Sequence, residues 1–420
     1  MLRMPKDFWL YEIGQFISYM GDFCSTLALS WWIISKTGSI TQVSAILAPA
    51  AVFKIILLPF FAPFSDFYAR KNILLISDFG RGLAAAILCA CIYFDYYQLW
   101  LFVLLYSIIN CLSALYLTTG SIVTQLIPEQ QMEKGMRISQ AMTSLGGITG
   151  GAFGGLIIAY FGVFIAFVTD ALSFFLAGLF TLFITSNTTP IRPDSALPFN
   201  FTKWKKEMAV GAKIILSSRI LWGMSCLALV INFFVASVWI LFPLYIKKLA
   251  LKEADFLGFM ESGYAIGTLV ATFILGYSMR FVSGFMLYFG SFFITGLLLA
   301  LLPVFYSSYI PIAILFLIGF LITHANIPYM TKMSLIIPDQ YRARVNSLTT
   351  FMAASITPLG IAITGFLSFY FAVNLLLISY GLLLSLSMLL MFLIPRIASF
   401  MNGDTKQAAD MLKANFPDVL

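Results

Sequence analysis

The sequence predicts an all-α integral membrane protein with twelve transmembrane helices in two parallel six-helix bundles. Three observations predict it. The 420 residues are 60% hydrophobic and only 10% charged, whereas charged residues make up roughly a quarter of an ordinary globular chain. Apolar runs recur from end to end, each able to supply the roughly 20 helical residues that a bilayer core requires. A short motif also returns at half-chain spacing, which implies two similar halves.

The apolar runs place spans near residues 8–34, 41–66, 72–94, 98–127, 137–160, 162–186, 219–246, 253–279, 282–304, 309–336, 345–370 and 373–396. Lysine and arginine placement sets the orientation. With the N-terminus in the cytoplasm, the inner side holds Arg3, Lys6, Arg70, Lys71, Lys134, Arg137, the group from Arg192 to Arg219, Arg280, Arg342, Arg344, Arg396, Lys406 and Lys413. The outer side holds Lys36, Lys247, Lys248 and Lys252, so the last three run against an otherwise large bias. Both termini are expected in the cytoplasm, and the location is the cell (inner) membrane.

The repeat is Ile127-Pro128-Glu129-Gln130 after the fourth span and Ile337-Pro338-Asp339-Gln340 after the tenth, 210 residues apart. Each copy precedes a basic residue that opens the next span, Arg137 and Arg344. Six spans separate the copies, so they share one side of the membrane, and the halves are related by an axis along the membrane normal. The expected organisation is an N-terminal bundle over 1–186, a cytoplasmic linker over 187–218, a C-terminal bundle over 219–396 and a tail over 397–420. In the linker, Lys203, Lys205, Lys206 and Lys213 alternate with Phe201, Trp204, Met208 and Ile214. That pattern predicts an amphipathic helix lying at the interface.

Composition also excludes classes. The net charge of +7 lies in gaps between apolar runs rather than in a patch, so no nucleic-acid partner is expected. The five cysteines, Cys24, Cys89, Cys91, Cys111 and Cys226, fall inside apolar runs without metal-ligand spacing. Reduced thiols packing as small apolar groups are expected. The first run is too long for a signal peptide. No HExxH, nucleophile-elbow or phosphate-loop pattern occurs, so neither an enzyme nor a cofactor is expected.

Several short motifs carry a family resemblance. Asp66-Phe67-Tyr68-Ala69-Arg70-Lys71, between the second and third spans, resembles the acidic-then-basic loop signature of the major facilitator superfamily. There, the aspartate and the basic pair tie helix ends together. The run Gly146-x3-Gly150-Gly151-Ala152-Phe153-Gly154-Gly155 resembles that superfamily's antiporter signature, with Gly151 where a proline is usual. Gly21-Asp22, Thr37-Gly38-Ser39, Asp78-x2-Arg81 and the loop Pro338 to Val345 extend the likeness over the whole chain, towards the macrolide-efflux branch. The resemblance implies the superfamily fold, gating roles for Asp66, Arg70, Lys71, Asp78, Arg81, Gly150 and Gly154, and export of hydrophobic compounds by exchange with protons. Similar Gly-Asp starts occur in lysophospholipid and iron transporters, so those cargoes stay open.

Charged groups at mid-depth are costly, about 2.5–3.5 kcal/mol each on insertion scales. Asp22 and Lys54 both fall near the midplane on consecutive helices, and an ion pair between them is expected because either charge alone is expensive. Glu12, Gln15, Tyr19 and Asp22 are spaced by three and four residues, which gives one polar helix face. This face reads either as a cavity-lining stripe with Asp22 as the proton-linked group or as a structural pair that holds helices together. Glu12 and Glu261 are further candidates for proton coupling; Asp170 reads as structural. Gln15, Tyr19, Asn232, Trp239, His324 and Asn326 are the candidate lining of a substrate cavity, although a hydrogen-bonded core histidine is the favoured reading of His324. Asp78 and Arg81, one turn apart, are expected to pair with each other or with the Arg70 loop. The 42 phenylalanines and 18 methionines lean towards an amphipathic cargo. The expected partners are a small-molecule substrate, protons and membrane lipid, with the chain acting as a monomer. The rival function is lysophospholipid or metal-ion transport; an intramembrane enzyme is a distant third.

Overall fold

A computed structural model describes residues 4–61, 68–119, 122–128, 131–186, 188, 201–250, 254–279, 281–306, 308–337 and 339–413. Among these residues the regular structure is helical throughout. Eleven segments are long and apolar enough to cross a bilayer. The helix α1, Lys6–Thr37, matches them in length but carries Glu12, Gln15 and Asp22, which lower its hydropathy; with it the spans number twelve. The chain divides into two compact units, Met1–Ala196 with Ile246–Ser262, and Leu197–Tyr245 with Gly263–Leu420.

The first unit contains α1, α2 (Ile40–Phe61), α3 (Arg70–Tyr93), α4 (Leu99–Leu117), the short α5 (Ile122–Leu126) and α6 (Met132–Leu182). α6 runs for 51 residues, interrupted at Gly162, whose φ of 83° lies in a region that glycine alone enters without strain. Gly146, Gly150 and Gly154 meet Tyr19, Met20 and Cys24 in ascending order, whereas Ala177 and Ser173 meet Gly14 and Gly21 in descending order. The first arm of α6 therefore runs parallel to α1 and the second antiparallel. Gly162 turns the chain back on itself where the apolar runs predicted a boundary between two spans. α1 packs along both arms of α6 and touches α2 far less, while α2 packs against α4.

The entry of α1 is anchored by an apolar cluster of Phe8, Tyr11, Leu74, Tyr116, Val123, Leu126 and Ile184. Ile127, from the first repeat copy, is buried there too. Asp7, just ahead of the first span, accepts hydrogen bonds from the backbone N–H and hydroxyl of both Thr185 (3.0 and 3.1 Å) and Ser186 (2.7 and 2.6 Å). Burial works against its charge, but the bonds from Ser186 and then Thr185 outweigh it and hold the carboxyl below the ordinary range. Two of the lysines at the far end are also accounted for. Lys36 pairs with Asp95 at 2.5 Å, and Lys247 donates to the carbonyls of Ile34 and Ser35 at the end of α1.

The second unit contains α7 (Phe201–Ser217), α8 (Arg219–Leu244) and most of α9 (Ala254–Ser278). The π-helical continuation of α8, Tyr245–Ala250, from Ile246 on and the first turns of α9 fall within Ile246–Ser262 and so belong to the first unit. There follow α10 (Gly284–Leu301), α11 (Ile310–Ile336), α12 (Asp339–Ser355), α13 (Thr357–Tyr370) and α14 (Val373–Met388). α10 packs against α11 and α14, and α8 against α13 and α14. α7 falls on the predicted amphipathic segment. The expected tail begins as two helices, α15 (Ile397–Asn402) and α16 (Thr405–Lys413). Lys332 at the end of α11 donates to the carbonyls of Met401 (2.9 Å) and Gly403 (2.6 Å), and Asn402 accepts from the N–H of Phe285. All five cysteines are free thiols.

Candidate functional site

The first unit gathers its charged groups around Arg81. α3 places this side chain in the interior, 2% exposed, with Asp78 one turn away and fully buried. The Arg81 guanidinium bonds Asp78 Oδ1 at 2.5 Å and stands 3.6 Å from Asp22 Oδ2. Its flat faces are covered by Phe174 at 4.3 Å and Tyr116 at 4.9 Å, so cation–π attraction adds to the ion pairs. Asp22 differs from Asp78 in access: its side chain is 36% exposed. The backbone at Asp22 is fixed by Thr26, whose hydroxyl donates to the Asp22 carbonyl at 2.8 Å and also meets the Tyr106 hydroxyl at 2.9 Å. Asp170, buried on the second arm of α6, lies beside this turn; a Cβ on Gly21 would stand 2.9 Å from its Oδ1.

The expected Asp22–Lys54 ion pair is corrected by this arrangement. Among the described residues the cation paired with Asp22 is Arg81; Lys54 is within electrostatic reach of both Asp22 and Arg81 but forms no ion pair within 4.0 Å. α2 packs mainly against α4 and only sparsely against α1, while Arg81 reaches Asp22 with its long side chain from α3, a helix packed on α6 and α4. Asp78 and Arg81 pair with each other, one of the two pairings expected, and are buried deep in the unit.

The polar face of α1 opens a second feature. Glu12, Gln15 and Tyr19 line a small cavity of about 140 Å³ together with Tyr11, Tyr116, Ser139 and Thr143. Glu12 is 2% exposed and Gln15 4%. Glu12 Oε1 and Gln15 Nε2 lack protein partners there, and buried polar atoms without partners are normally met by water. The Tyr19 and Tyr116 hydroxyls are 3.3 Å apart, and the Tyr116 ring covers Arg81. The cavity is thereby one side chain from the Arg81 cluster.

Glu261 is buried beside the glycine run of α6. A Cβ on Gly151 would lie 3.8 Å from its Oε2, and Gly155 meets the backbone of Gly258 so closely that a Cβ on either would overlap the other. Gly150 and Gly154 press on α1: a Cβ would stand 3.0 Å from Met20 Cα at the first and 2.9 Å from Cys24 Cα at the second. Of the loop signature, Asp66 lies outside the described residues. Lys71 donates to the carbonyls of Leu182 (2.9 Å) and Ile184 (2.6 Å), closing the end of α6, and the Arg70 N–H donates to the Thr188 carbonyl.

In the second unit, the structure brings Asn232 and Asn326 together. They line a cavity of about 380 Å³ with Tyr264, Tyr288, Tyr329, Met224, Met330 and Met333. Tyr329 lies near Asn326 in the sequence, but nothing there marks Tyr264 and Tyr288, because one tyrosine among nineteen carries no positional signal. Trp239 stands behind this lining, its ring 4.9 Å from that of Tyr264. His324 takes the core reading and not the cavity-lining one: it is absent from the lining, bonded to the Ser278 hydroxyl at 2.7 Å and stacked on Phe320. It lies two positions before Asn326, which on a helix is a turn of roughly 200°.

Comparison with known proteins agrees with this architecture. The chain is 22% identical to macrolide efflux protein A of Streptococcus pyogenes over 379 residues, 87% of this chain and 90% of that one. It is 20% identical to the MFS-type transporter YvqJ of Bacillus subtilis over 86% of each. Identity rises to 28% with YfiS of the same organism, in a match spanning 44% of this chain and 43% of YfiS. Among solved structures, the nucleoside transporter NupG superposes with a TM-score of 0.68 at 11% identity, covering 92% of this chain and all of that one. An inward-facing bacterial homolog of the human lysosomal transporter Spinster gives 0.64 at 13% identity, covering 97% of each chain. The profile of the Major Facilitator Superfamily matches residues 12–361, and the chain is a multi-pass membrane transporter belonging to that superfamily.

Proposed function

We propose that the chain is a proton-coupled exporter of a small amphipathic compound, working by alternating access between six-helix halves over 1–186 and 219–396 that the linker 187–218 joins. The observation that carries this reading is the sharing of Arg81 by two carboxylates of unequal access. Asp78, fully buried, keeps the guanidinium paired at all times, so Asp22 can take up a proton without leaving a bare cation in the interior. Protonation removes one of the two anions facing Arg81 and changes the field at Lys54. If the two access states differ in that balance, they differ in proton affinity, which is the condition for coupling.

The cavity at Glu12 is the proposed entry for protons, leading through Tyr19 and Tyr116 to Arg81, and Glu261 is a second proton site. The tyrosines, methionines and asparagines of the second cavity suit a cargo with an apolar body and a few polar groups. Export as the direction is supported by the likeness to a macrolide efflux protein. The chain acts as a monomer in the cell membrane with both termini in the cytoplasm. The test is accumulation of a panel of amphipathic compounds in reconstituted vesicles carrying an imposed pH gradient, with and without an uncoupler. Accumulation that the uncoupler leaves unchanged rejects proton coupling.

A further inference from the structure

We propose that the second unit binds one anionic phospholipid of the leaflet it borders, in the groove between the start of α8 and the end of the last span. The groove holds about 450 Å³, walled by Trp222, Cys226, Val230, Leu390, Leu393 and Ile394. Its floor closes at Gly223, where a Cβ would lie 2.7 Å from Ile394 Cγ1. Leu390 and Leu393 are 50% and 77% exposed, so an apolar trough lies open along the flank. Such a trough accepts an acyl chain and has nothing to offer a dissolved anion.

The mouth is cationic. Arg219 lines the groove as the first residue of α8, directly after the Ser218 cap that accepts from the Leu221 N–H. Arg396 follows Pro395, itself a groove residue, and is held at a φ of 57°. Both are exposed, and neither forms an ion pair among the described residues. The positive end of a 26-residue helix dipole points the same way. Trp222, one turn into α8, has the amphipathic ring that settles at headgroup depth. Two arginines and a helix start at that depth, above an apolar trough, form the recognition chemistry of a phosphate diester bearing acyl chains. The inference is independent of proton coupling and of cargo.

The test uses the full chain in vesicles and reads fluorescence quenching by brominated phosphatidylglycerol against brominated phosphatidylcholine. The Trp222 contribution is isolated by difference from Trp222→Phe. The expected result is a preference for the anionic lipid of about 30-fold in relative affinity, the yield of two near-surface arginines. It is lost in R219Q/R396Q and kept in R219K/R396K, whose folding is followed by thermal unfolding. Equal quenching by the two lipids overturns the proposal, as does a preference that survives R219Q/R396Q. Displacement of the lipid by inorganic phosphate alone also overturns it, by assigning the site to a soluble anion.

Discussion

Arg81 stands 3.6 Å from Asp22 while bonding Asp78 at 2.5 Å, so one buried guanidinium serves an accessible carboxylate and an inaccessible one. The two acids should respond differently to neutralisation. Asp22→Asn is expected to fold normally and lose gradient-driven accumulation. Asp78→Asn leaves Arg81 without its close partner and should destabilise the protein by about 3–5 kcal/mol, as breaking buried pairs does. Vesicle accumulation and thermal unfolding in detergent read the two effects separately. If Asp22→Asn accumulates cargo like the native protein, Asp22 does not carry the proton.

The glycine run of α6 makes a sharper comparison between neighbours. Gly155→Ala puts a methyl group into the backbone of Gly258, whereas at Gly151 the nearest atom is Glu261 Oε2 at 3.8 Å. Gly155→Ala should cost about 1–3 kcal/mol in unfolding experiments, the range for overpacked cores. Gly151→Ala should cost little. Helix propensity alone favours alanine at both positions, so equal losses would show that the Gly258 crossing is not what sets Gly155 apart.

Cargo binding should separate Asn326 from His324. Asn326→Leu is expected to weaken half-saturation by about 2–10-fold, the value of one hydrogen bond, with little change in stability. His324→Leu removes the bond to Ser278 and should lower the unfolding temperature while leaving half-saturation unchanged. Concentration dependence of transport checks the first and calorimetry the second.

Asp7 offers a test outside the membrane. Its carboxyl titrates lower in the folded protein than in the unfolded chain, where about 3.9 is normal. The charged form therefore stabilises the fold at any pH above the unfolded value, and that contribution disappears as pH falls through the folded one. The stability gap between the native protein and Asp7→Ala should be constant from neutral pH down to about pH 5 and close below about pH 4. A gap that widens in acid contradicts the bonding to Thr185 and Ser186.

Much of this was legible in the sequence, because apolar runs report depth directly. The span boundaries, the turn between residues 160 and 162 and the helical linker segment all follow from one-dimensional patterns. Partnership across helices does not. Asp22 and Lys54 sit at matching depths, yet nothing in a single sequence tells which helices flank α1. The fold sets both arms of α6 along α1 and lets Arg81 reach in from α3, so that Arg81 and Asp170 stand by Asp22 instead. Of the two readings of His324, the structure takes the hydrogen-bonded core one; depth along α11 is readable in the sequence, direction around it is not.

Gly162 joins two spans with a single residue, and that has a practical side. On that face of the membrane the fifth and sixth spans offer no protruding loop for an antibody, a protease or an inserted reporter. Any added residue would have to be accommodated inside a helix. The short link also ties both arms of α6 mechanically, so α1, clasped between them, is free to travel only with the pair.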